Sequence, residues 1–157
     1  MTRLRLGILI SGRGSNMEAL LSAAQDPDYP AAPALVLSNR PQAKGLETAR
    51  NQGVETKAID HRPFGKDRET FERELDKALK EAGIEVIALA GFMRILTPWF
   101  VQEWAGRMVN IHPSLLPKYP GLDTHHRAID AGDAEAGCTV HWVTEGVDEG
   151  AIIGQAR

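Results

Sequence analysis

Short apolar runs alternate with helical patterns along the 157 residues, and one run, Ile84–Ala90, is almost wholly apolar. Polar residues of unusual kinds gather where the runs end. Alternation of this type predicts an α/β fold with right-handed crossovers. A nearly continuous apolar run reads as a central parallel strand covered on both faces. The expectation is one domain over residues 1–157: a Rossmann-like, open, mostly parallel sheet flanked by helices, with a final antiparallel strand.

Leu4–Ile10 is the first run, and Met17–Ala24 reads as a helix entered through Ser15-Asn16. Ala34–Leu37 is the second run, followed by a helix from Ala43 to Gln52 that Gly53 ends. Val54–Ile59 is the third. Between Lys66 and Ala82, the residues Phe71, Leu75, Ala78, Leu79 and Ala82 share one face at helical spacing, and Gly83 stops the helix. Ile84–Ala90 is the fourth run. A short helix opened by Pro98 leads to the run Met108–Ile111, a Pro-rich loop His112–Gly121 and a short helix His125–Ala131. Cys138–Val143 and Ala151–Ala156 flank a turn-rich stretch, Thr144–Gly150, and are expected to pair antiparallel.

Composition narrows the function classes. With 18 Lys+Arg against 21 Asp+Glu, the net charge of −3 gives no electrostatic footprint for duplex nucleic acid. A local anion site remains open, because helix ends bind phosphate without net positive charge. No apolar run approaches the ~20 residues needed to cross a bilayer. The opening MTRLRLGILI has the basic lead of a secretory signal, but it stops at Ser11-Gly12-Arg13-Gly14 and reads as a buried strand. The one cysteine, Cys138, excludes an internal disulfide framework and fits a reducing, cytoplasmic compartment.

The carboxyl ends of parallel strands share one edge, and ligands bind in the crevice there. Ser11–Asn16, Ser38-Asn39-Arg40, Gly91-Phe92-Met93-Arg94, and Asn110 with His112 all follow or end such strands. Ser11–Asn16 is a glycine-rich turn that lets backbone approach a ligand and leaves free N–H groups at a helix start. It lacks the third glycine of a dinucleotide fingerprint, since Met17 stands there, and the Gly-Lys-Ser/Thr of a Walker A loop. A single phosphate fits it better than a pyrophosphate; the alternative is a tight turn with a cap from Ser15 or Asn16. Asn110 and His112, two apart on a strand, can present an amide and an imidazole to one point, as a developing oxyanion requires. The competing reading is a strand end with a hydrogen-bonded histidine. Asp148 is either part of a solvated acidic turn or a carboxylate that orients His112 and raises its pKa. His61, His125, His126 and His141 read as surface or structural residues. No metal is expected, because the adjacent His125 and His126 diverge on a helix. No Gly-x-Ser-x-Gly elbow is present, and Cys138 starts an apolar strand, where a thiol is inert.

Taken together, Leu9–Asn16, Leu89–Leu96 and Asn110–Pro117 resemble the phosphoribosylglycinamide formyltransferase family, also called glycinamide ribonucleotide transformylases. Lys118–Gly121 and Val143–Gly150 extend the likeness across the chain. The resemblance implies transfer of a formyl group from the co-substrate 10-formyltetrahydrofolate to the amine of 5-phosphoribosylglycinamide, in purine synthesis. It implies that Asn110 and His112 hold the tetrahedral oxyanion, that His112 donates a proton, and that Asp148 raises the pKa of that histidine. Gly14, Ser15 and Asn16 match the phosphate-binding segment. Arg68, Met93, Arg94, Ile95, Leu96 and Asn110, with Thr144, Glu145, Gly146, Val147 and Asp148, match the folate side. The partners implied are these two small molecules, with neither nucleic acid nor membrane, in a monomer or homodimer.

One departure accompanies the likeness. Family members continue beyond the position matching Arg157, so the expectation is that the C-terminal part of the family fold, which supplies part of the ribonucleotide site, is absent from residues 1–157. Alternatives are a 10-formyltetrahydrofolate hydrolase, in which water replaces the amine, and a non-catalytic nucleotide-binding module. A methionyl-tRNA formyltransferase would want an RNA-binding extension and a basic face, neither of which is seen.

Overall fold

A computed structural model describes residues 3–94, 96–112, 138–142 and 152–156, with side chains as far as residue 110. The expected loop at 113–121, the helix His125–Ala131 and the stretch Thr144–Gly150 lie outside the described residues, apart from His112.

Strand β1 is Leu4–Ile10, as read from the sequence, and helix α1 is Ser15–Ala23. Next come β2 (Ala31–Ser38), α2 (Lys44–Asn51), β3 (Thr56–Ala58), a 3-10 turn at Arg62–Phe64, α3 (Arg68–Glu81) and β4 (Val86–Leu89). Helix α4 (Pro98–Glu103), β5 (Met108–His112), β6 (Cys138–Trp142) and β7 (Ile152–Ala156) complete the order. The seven strands form one sheet in the order β3-β2-β1-β4-β5-β6-β7. The first five named are mutually parallel. The two last segments pair antiparallel as expected. The reversal falls on β6, which runs against β5, so that β7 returns to the direction of the parallel strands.

Both faces of the sheet are covered. Leu6, Ile8 and Ile10 of β1 point with Val36, Ala88 and Ala90 toward Met17, Leu21, Leu46 and Ala49 of α1 and α2. Leu9, Leu35, Leu37, Ile87 and Leu89 point the other way, onto Phe71, Leu75 and Leu79 of α3 and onto Phe100 and Trp104. Strands β1, β2 and β4 must therefore be apolar on both sides, which is why their runs show no polar alternation.

Some element edges differ from the sequence reading. Strand β2 begins at Ala31, three residues early, because Leu4–Leu6 of β1 pairs with Ala31–Pro33. Pro33 is tolerated there, since β3 pairs β2 only at Val36–Ser38 and no donor is missed on that side. Strand β3 shrinks to three residues for the same reason: only Thr56–Ala58 finds a neighbour. Helix α1 starts at Ser15 rather than Met17, because Gly14, at φ 75° and ψ 37°, turns the chain straight into it. Helix α3 carries its Phe71, Leu75, Ala78, Leu79 stripe as expected, with Asp67 accepting from the Thr70 N–H at its start. The stripe also buries Glu72, a carboxylate where the pattern led to no expectation of one.

Candidate functional site

The strand order changes direction between β1 and β4: β2 and β3 lie to one side, β5 to the other. Chain leaving β1 and chain leaving β4 consequently part at their carboxyl ends and open a crevice. A cleft of about 250 Å³ lies there, lined by Ser11–Asn16, Arg40, Ala90, Gly91 and Met93. Three of the four polar clusters marked in the sequence thus meet at one place.

Gly14 is the residue at the N-terminal cap of α1, and no side chain caps it. The reading in which Ser15 or Asn16 supplies the cap is therefore corrected: both sit inside the helix, because the glycine adopts the left-handed turn that precedes it. The first helical hydrogen bond runs from the Glu18 N–H to the Gly14 carbonyl at 2.8 Å. The N–H groups ahead of it have no partner within the helix, and they carry the positive end of its dipole. Gly45, near the start of α2, packs against this turn, and its N–H donates to the Gly12 carbonyl at 3.0 Å.

The floor between the turn and the chain after β4 is a buried polar chain. The Met93 N–H donates to Ser11 Oγ at 2.7 Å, and Ser11 Oγ donates to Asn39 Oδ1 at 2.5 Å. Asn39 Nδ2 lies 3.1 Å from His61 Nδ1, which gives His61 the structural place read for it. Met93 is 54% exposed at the mouth of the cleft. An exposed thioether of this kind offers an adaptable apolar contact to a flat ring.

The remaining expected residues are spread along the same edge and beyond it. Arg94 and Leu96 are half-buried, and Leu96 packs against the α3–α4 core. Ile95 lies outside the described residues. Arg68 is the first residue of α3 and is exposed. Its charge acts on Glu72, whose carboxylate accepts from the Thr97 N–H at 2.7 Å, so Arg68 stands near the segment running from Met93 to Thr97. Burial raises the Glu72 pKa, against the lowering effect of the Thr97 hydrogen bonds and of Arg68.

Asn110 is half-buried in the middle of β5, two residues before its carboxyl end at His112. Leu89 pairs with Leu9 on one side and with Asn110 on the other, so all three are level across the sheet. Two strand spacings, about 10 Å, separate Asn110 from β1, beyond which the glycine turn begins. The β5–β6 ladder is regular from Val109 to His112, which keeps positions 110 and 112 in phase; His112 is opposite Thr139. The His112 side chain and Thr144, Glu145, Gly146, Val147 and Asp148 lie outside the described residues.

Two cleft residues received no role from sequence reasoning. Arg13 and Arg40 line the cleft with exposed side chains, one within the glycine turn and one just past β2. Their positions after strand ends were the available signal.

Comparison with known proteins agrees with this fold. The family model described as "Formyl transferase" matches residues 4–157. The chain is 52% identical over 156 residues to the trifunctional purine biosynthetic protein adenosine-3 of Drosophila melanogaster, covering 98% of this chain and 12% of that protein. It is 47% identical over 150 residues to the phosphoribosylglycinamide formyltransferase of Escherichia coli, covering 96% of this chain and 70% of that one. The crystal structure of phosphoribosylglycinamide formyltransferase from Brucella melitensis superposes with a TM-score of 0.92 at 48% identity, over 99% of this chain and 79% of that one. The chain thus spans only 12% of the trifunctional relative and about seven-tenths of the Escherichia coli one. The motifs, the sheet order and these likenesses, which run over nearly the whole length given, agree that the chain belongs to the formyl transferase family.

Proposed function

We propose that this protein transfers the formyl group of 10-formyltetrahydrofolate to the amine of 5-phosphoribosylglycinamide, in the cytoplasm, as a step of purine biosynthesis. The observation that carries this reading is the continuity of the cleft. A glycine turn at a helix start and the backbone after β4 line one space, which opens just past the level of Leu9, Leu89 and Asn110 on three successive strands. A phosphorylated acceptor and a flat-ringed donor can therefore meet with their reacting ends toward β5. Relatives named phosphoribosylglycinamide formyltransferase support the acceptor and the group transferred.

Gly14, Ser15 and Asn16 hold the acceptor phosphate through backbone N–H groups, aided by the α1 dipole. Met93 to Leu96 and 144–148 hold the folate. The acceptor amine attacks the formyl carbon, and a C–N bond forms as the carbonyl oxygen becomes an oxyanion. Asn110 and protonated His112 donate hydrogen bonds to that oxygen. The bond from the formyl carbon to the donor nitrogen then breaks. The proton lost by the attacking amine balances the one that His112 delivers to the leaving nitrogen. Asp148 holds His112 in the protonated form by stabilising the imidazolium. Positioning and oxyanion stabilisation are sufficient for this chemistry, so the reading invokes neither a metal nor a covalent enzyme intermediate.

His112→Ala tests the assignment. It is expected to lower turnover by about a hundredfold or more while the protein stays folded, the loss typical of a removed oxyanion donor. A turnover near that of the unsubstituted protein would overturn it.

A further inference from the structure

The segment from Met93 to Thr97 is held at both ends by buried side chains that come from elsewhere in the fold. At one end, Ser11 Oγ accepts the Met93 N–H at 2.7 Å, across 82 residues of sequence. At the other, Glu72 Oε2 accepts the Thr97 N–H at 2.7 Å, and Glu72 Oε1 accepts the Thr97 hydroxyl. Ser11 is 2% exposed and Glu72 1%.

The hydrogen-bond directions at the first anchor are determined. A serine hydroxyl has one proton. Ser11 Oγ receives the Met93 N–H, and its own proton goes to Asn39 Oδ1, an atom that can only accept. Asn39 is itself 1% exposed, and its Nδ2 faces His61 Nδ1 at 3.1 Å. Ser11 therefore cannot rotate without leaving buried groups unpaired, an arrangement that is expensive to break.

The second anchor is expensive to maintain. A carboxylate buried on the apolar face of α3 is desolvated, and apolar residues of similar size commonly serve stability as well or better. Both of its oxygens are spent on one residue, Thr97, which opens α4. What the carboxylate supplies is position: it fixes where the chain enters α4, while Ser11 fixes where the chain leaves the cleft floor.

We infer that Ser11, braced by Asn39, and Glu72 are positioning residues for the formyl donor, fixing Met93 and Thr97 so that the backbone at Met93–Arg94 and at Leu96–Thr97 meets a flat, hydrogen-bonding heterocycle in one fixed arrangement. The inference rests on the proposed function for the identity of the donor. Neither residue is assigned to the reacting atoms.

The test measures the calorimetric Kd for 10-formyltetrahydrofolate, together with KM for donor and acceptor, on the full chain and its Ser11→Ala, Glu72→Met and Glu72→Gln variants. Ser11→Ala and Glu72→Met each remove two hydrogen bonds of a buried side chain and should weaken donor binding about tenfold or more. Acceptor KM should stay within about twofold. Glu72→Gln keeps a carbonyl acceptor for the Thr97 N–H and should stay within about threefold of the parent in donor Kd. Unchanged donor Kd in folded Ser11→Ala overturns the inference, whatever Glu72→Met does. So does an equal weakening of donor and acceptor, or a Gln variant as impaired as Met. If the parent binds donor but forms no formylated amine, the proposed function fails while the Kd series still decides the clamp. If it binds no donor, both fall.

Discussion

Gly45→Ala probes how the glycine turn is held. Gly45 is the second residue of α2, and the glycine turn after β1 lies directly against it. A Cβ at position 45 would overlap Ile10 Cδ1 and stand 3.1 Å from the Gly12 carbonyl oxygen and 3.2 Å from that of Arg13. The Ile10 methyl is the end of a side chain, but Ile10 is 0% exposed and has little room to swing. The two carbonyl contacts are backbone, so the turn itself must move by a few tenths of an ångström. Overpacking of this kind costs about 1–3 kcal/mol. Alanine returns up to about 1 kcal/mol of helix propensity, less so near a helix start. The net loss should be about 1–2 kcal/mol, or roughly 2–8 °C in Tm for a domain of this size. Because the displaced atoms lead directly into Gly14–Asn16, proposed to hold the acceptor phosphate, acceptor KM should rise several-fold with donor KM unchanged. Thermal unfolding and two-substrate kinetics read both effects. A Tm equal to or above the parent's, with acceptor KM unaltered, would refute the argument that α2 sets the turn.

Arg13→Ala and Arg40→Ala should each raise acceptor KM about threefold to tenfold and flatten its dependence on salt, since both guanidinium groups border the cleft at exposed positions. Titration of acceptor KM between low and moderate ionic strength checks this; equal salt slopes in parent and variants would contradict it. Glu72 supplies a pH effect. Its pKa is raised above 4.5 in the folded state by burial, so the folded protein holds that proton more tightly than the unfolded chain. Its contribution to stability is therefore fully present below about pH 4.5 and is lost as pH rises through the folded value. The Tm of the parent relative to Glu72→Gln should fall across that window. A difference that does not vary with pH would contradict the assignment.

The sheet was legible because its central strands are apolar on both faces, so Leu4–Ile10 and the core of Ile84–Ala90 stand out from the helical stripes between them. The cleft was legible because the carboxyl ends of parallel strands deliver their loops to one edge of the sheet. Ser11–Asn16, Arg40 and Met93 could thus be gathered before any contact was known. Edges such as Ala31 and Thr56–Ala58 were not legible, since a strand's extent depends on which neighbour pairs with it. The true cap of α1 was hidden because the capping preference of Ser15 and Asn16 is weaker than the turn that Gly14 imposes. Nor did the sequence reveal that Glu72 faces inward, because Thr97, the group that makes its burial tolerable, is 25 residues away. Gly45 reads as an ordinary helix-start glycine until the chain passing against it is known.

The central claim is that a one-carbon unit passes from donor to acceptor amine in the cleft between β1 and β4. The most direct measurement uses 10-formyltetrahydrofolate labelled in its formyl carbon, with and without 5-phosphoribosylglycinamide, and tracks the label by NMR. The account predicts that label enters an amide on the acceptor in one-to-one ratio with donor consumed, and that donor persists when the acceptor is left out. Label released as formate at the same rate with or without acceptor would contradict it.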